Sequence, residues 1–112
     1  MSQPDIVLVL SNVPAEQAED MASTLIKERK AACVNLSPIR SVYRWNNEIC
    51  VDQEITLIAK VSTAHSELCV QLIKNLHPYE LPEILVIPVD TQRSYGPYLE
   101  WVLSEMQSKW AL

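Results

Sequence analysis

The sequence predicts an α+β fold of the ferredoxin-like type, βαββαβ with an added C-terminal helix, and three observations point to it. Strand and helix signals alternate in that order along 112 residues, a length that suits one domain around one core. The central strand pair is too long for a globule of this size. Two strands are apolar on both faces, where a sheet with one wet face alternates.

The element signals follow in chain order. Ile6 to Leu10 is an apolar, β-branched run closed by Ser11, Asn12 and Pro14, which predicts a short buried strand and then a helix start. Ala18, Met21, Ala22, Leu25 and Ile26 keep helical spacing, with Glu16, Glu19 and Asp20 near the positive end and Lys27, Arg29 and Lys30 near the negative end. Ala32 to Leu36 predicts a strand, Pro38 an interruption, and Ile39 to Trp45 its resumption before Asn46-Asn47, residues that tolerate a left-handed turn. On the return arm Ile49, Val51, Ile55, Leu57, Ala59 and Val61 alternate with mostly polar residues. With ~12 paired residues per arm this hairpin runs to ~40 Å, so part of it projects from the globule.

Thr63 is the expected cap of a second helix in which Leu68, Leu72, Ile73 and Leu76 share a face, ended by His77-Pro78. Ile84 to Val89 is the fourth strand. Ser94 precedes a last helix bearing Tyr98, Leu99, Val102, Leu103 and Met106, with Pro97 in its first turn. Both Ile6 to Leu10 and Ile84 to Ile87 are apolar at every position. The second sheet face therefore needs cover, and with the helices assigned to the first face a partner subunit is the expected source.

Composition narrows the function classes. Nine basic against fourteen acidic residues give a net charge of −5 with Lys and Arg scattered, which argues against a nucleic-acid partner. No apolar run approaches the ~20 residues of a membrane helix, and Met1 to Asp5 lacks secretory features, so a cytoplasmic protein without a membrane partner is expected. Cys33, Cys50 and Cys69 have no CxxC spacing and read as reduced thiols. The single glycine leaves no room for a phosphate-cradling loop, and no Ser/His/Asp order or HExxH occurs. An enzyme is not expected.

Three groups of residues could carry function. His77-Pro78-Tyr79-Glu80-Leu81-Pro82-Glu83 gathers an imidazole, a phenol and two carboxylates on one loop. It reads either as a rigid turn, with a cationic His77 at the helix end and solvated Glu80 and Glu83, or as a metal or ligand site. Cys33 reads as a small buried hydrophobe or as a further ligand. Glu54 and Lys60 share one face of a strand, as an intersubunit salt bridge or as the lining of a ligand cleft. Tyr43 and Trp45, with Arg44, cluster at the hairpin tip, where exposed aromatics point to subunit or partner contact; Tyr98, Trp101 and Trp110 read the same way.

These segments carry a family resemblance. Glu28-Arg29-Lys30-Ala31-Ala32-Cys33-Val34-Asn35, the Tyr43-x-Trp45 pair, Glu54 with Lys60 before Ser62-Thr63, and His77-Pro78-Tyr79-Glu80-Leu81-Pro82-Glu83-Ile84 together resemble the CutA divalent-ion tolerance proteins, from about Ile6 to Trp101. The resemblance implies a ferredoxin-like homotrimer of PII-like architecture and a role in tolerance to copper and other divalent cations. Its copper-binding members use a Cys at the end of the first strand and a His-His pair before the HPY proline. Those places hold Ser11, Leu76 and His77, so of that donor set His77 alone is present. Weak Cu(II) or other divalent-ion binding by His77, Glu80, Glu83 and Cys33 is the expectation, with Glu54, Lys60 and Tyr79 as a ligand cleft. A PII-like small-ligand sensor or a trimeric scaffold for a protein partner is the alternative, and an enzyme using Lys60 and Glu54 comes third.

Overall fold

The computed structural model describes residues 5–107. Its elements are β1 (Ile6–Val13), α1 (Ala15–Lys27), β2 (Cys33–Trp45), β3 (Glu48–Ser62), α2 (Ser66–Leu76), β4 (Ile84–Pro88) and α3 (Gly96–Met106). The strands form one antiparallel sheet in the order β2-β3-β1-β4, the ferredoxin-like arrangement the sequence predicts. Trp110, read above as a contact aromatic, lies outside the described residues.

The core sits between one sheet face and helices α1 and α2. Val9, Val13, Leu57, Ala59 and Val61 meet Met21 and Leu25 of α1 and Cys69 and Ile73 of α2. Burying one such aliphatic side chain contributes about 1.5–3 kcal/mol, so this layer is the principal stabilising element. α1 ends in a Schellman turn, with Lys30 N–H donating to Leu25 O at 2.9 Å and Arg29 in the left-handed region at φ 57°. Arg29 offsets that strain by bonding to Glu105 of α3, both at its carbonyl and as an ion pair at 3.8 Å.

Four local expectations change. β1 continues through Ser11 and Asn12 to Val13, because β3 pairs with it to Val13 and β4 to Ser11, and the two polar side chains find partners beyond its end. Pro38 does not interrupt β2: the strand is at the sheet edge, where a missing N–H breaks no ladder. α2 starts at Ser66 after a 3-10 turn over Thr63–His65, rather than being capped by Thr63 directly. The second sheet face also has a helix of its own at one end. Lys60 and Cys33 project from the face opposite Ala59 and Val61, and α3 lies there: Met106 Sδ accepts from Ser62 N–H, and the Tyr98 hydroxyl sits beside Cys33. The rest of that face stays open, with Leu85 and Ile87 exposed.

The hairpin projects as expected. Val13 at the end of β1 faces Ile55, and β2 and β3 then pair alone from Ile39↔Glu54 to Trp45↔Glu48, ~23 Å of ribbon. The turn holds Asn46 at φ 51° and Asn47 at φ 64°, the two positive angles of a type I′ hairpin. The arm stretches the molecule to 49 Å and its radius of gyration to 15.1 Å, against ~13 Å for a compact chain of this length.

Candidate functional site

The site is built where the projecting hairpin leaves the body of the sheet. α2 ends at Leu76 because Pro78 pushes His77 into the extended region, at ψ 131°. His77 then turns inward and is 7% exposed. Its Nδ1 accepts from the Tyr79 N–H at 3.2 Å, so Nε2 carries the proton and donates to Asn12 O at 2.9 Å. Of the two readings of this loop the rigid turn is realised in part. His77 stitches the end of α2 to β1 through both ring nitrogens, rather than standing as a cation at the helix end.

The rest of the loop is sewn to β1 in the same way. Ser11 Oγ donates to Glu83 O at 2.7 Å, and Asn12 Nδ2 donates to the Glu83 carboxylate at 3.0 Å while its Oδ1 accepts from Thr56 at 2.8 Å. These bonds carry the loop round the sheet end and bring Tyr79 over the hairpin. There its hydroxyl donates to Glu54 Oε2 at 2.8 Å, and Ser41 Oγ donates to Glu54 Oε1 at 2.6 Å.

Between hairpin and loop lies a cleft of about 640 Å³. Tyr43, Trp45, Tyr79 and Leu81 give it apolar walls, and Asp52, Glu54, Glu80 and Glu83 line it with carboxylates. Among the described residues no Lys, Arg or His lines it. Glu54, at 8% exposed, is the buried carboxylate of the group. The phenols record this electrostatics. Tyr79 is pushed up to about 12 by burial first, then by its bond to Glu54 and by the charges of Glu54 and Asp52. Tyr43 rises to about 12 chiefly because its hydroxyl donates to Asp52.

Of the residues singled out in the sequence, Glu54, Tyr79, Glu80, Glu83, Tyr43 and Trp45 converge on this cleft. His77 backs it, with its ring 4.7 Å from that of Tyr79. Cys33 and Lys60 do not converge with them. They pair with each other near the opposite end of β3, six residues from Glu54 and thus ~20 Å away. Lys60 donates to Asn35, with Cys33 Sγ at 3.8 Å, so it neither neutralises Glu54 nor lines the cleft with it. Sharing a face fixes direction and not proximity. Among the described residues no group of three or more His, Cys, Asp and Glu is arranged to hold a metal ion within one subunit.

Sequence reasoning missed Asn12, Ser41 and Asp52. The signal for the last two was present, because a two-residue turn at Asn46-Asn47 fixes every pair along the hairpin and sets Ser41 opposite Asp52, one step of two from Ile39↔Glu54. Asn12 had no such signal, since it depends on which strand pairs with β3.

Residues 7–105 match the family model described as CutA1 divalent ion tolerance protein. The chain belongs to the CutA1 divalent ion tolerance family. A curated relative, the divalent-cation tolerance protein CutA of Thermus thermophilus, is 40% identical over 85% of this chain and 92% of its own length. Among solved structures, the PII-like protein CutA of Nostoc sp. PCC 7120 in apo form superposes with a TM-score of 0.87 at 44% identity, covering 90% of this chain and 97% of that one. CutA from Archaeoglobus fulgidus, described as periplasmic, superposes at 0.86 with 28% identity over 91% and 99% of the two chains. This CutA1-family chain thus shares the PII-like fold. Among its described residues no helix is long and apolar enough to cross a membrane.

Proposed function

We propose that this chain is a metal-tolerance protein that acts by binding rather than by catalysis, as a homotrimer in the cytoplasm, and that it takes up copper or another divalent cation weakly. The family match over residues 7–105 carries this reading. The catalytic alternative needs Lys60 and Glu54 together, and they stand ~20 Å apart on β3. Glu80 and Glu83, both exposed at the cleft, supply carboxylate oxygens to a cation whose remaining positions are filled by water. His77 joins them only by releasing the Tyr79 N–H from Nδ1, and Cys33 only from another subunit. Binding is weak because a tight soft-metal site needs several thiolate or imidazole donors in fixed geometry.

Calorimetric titration of Cu(II) into the assembled protein tests the proposal. Weak binding should be lost in a Glu80→Gln/Glu83→Gln double variant and retained in Cys33→Ser. Tight binding that disappears with Cys33, or copper uptake indifferent to both carboxylates, overturns this site. A second reading, a PII-like sensor of a small ligand, is favoured by one observation: the aromatic-walled cleft of about 640 Å³ is far larger than a hydrated ion needs.

A further inference from the structure

We propose that Cys33 and Lys60 are a peroxide-sensitive pair, which closes a reversible sulfur–nitrogen bond between β2 and β3 when the thiol is oxidised. This stands independently of the metal and ligand readings of the cleft. Cys33 and Lys60 lie directly opposite each other on neighbouring antiparallel strands, at the end of the second face that α3 of the same chain covers. Side chains so placed have Cβ atoms about 5 Å apart. Lys60 Nζ reaches to 3.8 Å from Cys33 Sγ and is held there by its bond to Asn35, two residues along β2. The pair is internal to one subunit and lies at the opposite end of β3 from the projecting arm.

Its surroundings set this thiol apart from the other two. Cys69 is fully buried in the core, and burial pushes it up to about 12, so it keeps its proton and is inert. Cys33 is half-buried and stands outside the apolar core. The Tyr98 hydroxyl donates to its sulfur from α3, and that phenol is raised first by burial and then by the charge of Cys33 and the bond to it. An amine and a phenol thus flank the sulfur. Cys50 lies opposite Tyr43 on the arm, ten residues along β3 and thus ~33 Å from Lys60, and Cys69 lies in α2 on the other side of the sheet. Among the described residues no second thiol of the subunit reaches Cys33, so once oxidised it has the Lys60 amine in place and no disulfide partner.

The reaction balances with one hydrogen peroxide. The Cys33 thiolate attacks a peroxide oxygen, the O–O bond breaks, and the departing oxygen takes the thiol's proton to become water, leaving a sulfenic acid. Lys60 Nζ, in its unprotonated form, then attacks Sγ; the S–O bond breaks, and the hydroxide takes a proton from the nitrogen and leaves as a second water. Thiol and amine together give up two electrons and two hydrogens, which two thiols of an external reductant restore. The bond removes one positive charge and ties the Cys33 end of β2 to β3.

Treatment of the assembled protein with a modest excess of hydrogen peroxide, followed by intact mass spectrometry without reductant, tests the proposal. The subunit should lose about 2 Da, the two hydrogens, and dithiothreitol should reverse the loss. Digestion should yield a linked peptide pair joining Cys33 to Lys60. Lys60→Arg keeps the charge but has no nucleophilic amine, so it should show no such loss and should instead present a Cys33 sulfenic acid to dimedone. Cys33→Ser should show neither product. The linked peptide is read in the wild-type protein, so the result does not depend on either variant folding. A dimedone adduct or added oxygen at wild-type Cys33 without the link, an equal mass loss in Lys60→Arg, or a Cys33 that peroxide leaves unchanged overturns the proposal.

Discussion

At Glu54 two hydroxyls share one buried carboxylate, and Tyr79 couples it to the loop that follows α2. That coupling has a pH signature. Tyr79 is raised to about 12 by burial and by Glu54, above the usual ~10, so the folded state favours the protonated phenol. Its contribution to stability is fully present below pH ~10 and is lost as pH rises through about 12. Tyr79→Phe should therefore flatten the fall of melting temperature between those pH values and remove one late tyrosinate step from the absorbance titration. An alkaline melting profile identical to wild type would show that the bond is not made in solution. The sequence made the carboxylates and phenol of this site legible as residue types on one loop and one strand. It could not show that His77 points inward, because that depends on Asn12, 65 positions away, having its carbonyl within 2.9 Å.

Among the elements, the hairpin was the most legible, since alternation and an Asn-Asn turn specify both arms without reference to the rest of the chain. What stayed hidden depends on sheet position. Pro38 looks like a break until β2 is known to be an edge strand, and Ser11-Asn12 looks like a strand end until β3 is known to pair through both residues. α3 was recognised as a helix, but its place over the Cys33 end of the second face follows from Met106 reaching Ser62, a contact no periodicity encodes. The turn itself gives a prediction. Asn47 sits at φ 64°, where glycine is free of Cβ strain, so Asn47→Gly should raise stability by about 0.5 kcal/mol in denaturant unfolding. Asn46→Val, a β-branched residue at φ 51°, should cost about 1–2 kcal/mol. If both substitutions are neutral, the hairpin end is frayed in solution and the cleft it walls is not preformed.

For the whole molecule, the projecting arm poses the question of what covers it. On the face that carries the cleft, Trp45 is 48% exposed; on the other face Val42 and Val51 pair across the strands with 67% and 56% of their surfaces open, and Ile49 lies beside them at 73%. An arm with exposed apolar side chains on both sides, lying beyond the reach of α1 and α2, leaves them uncovered within its own subunit. Such exposure marks an interaction surface. The open part of the second face, with Leu85 at 51% on the edge strand β4, adds to the same demand. A homotrimer meets it by giving each arm a neighbour, and light scattering should then report three times the 12.7 kDa subunit, about 38 kDa. Trp45→Ala should loosen the assembly by roughly 2 kcal/mol or more, the usual cost of truncating a buried interface aromatic. Val51→Glu places a carboxylate in the apolar pair with Val42 and should shift the protein toward monomer at micromolar concentration. Its core residues lie elsewhere, between the sheet and α1 and α2, so circular dichroism of Val51→Glu should stay that of a folded α+β domain. A wild-type mass of 12.7 kDa, or a trimer indifferent to both substitutions, would mean that the arm is covered in some other way.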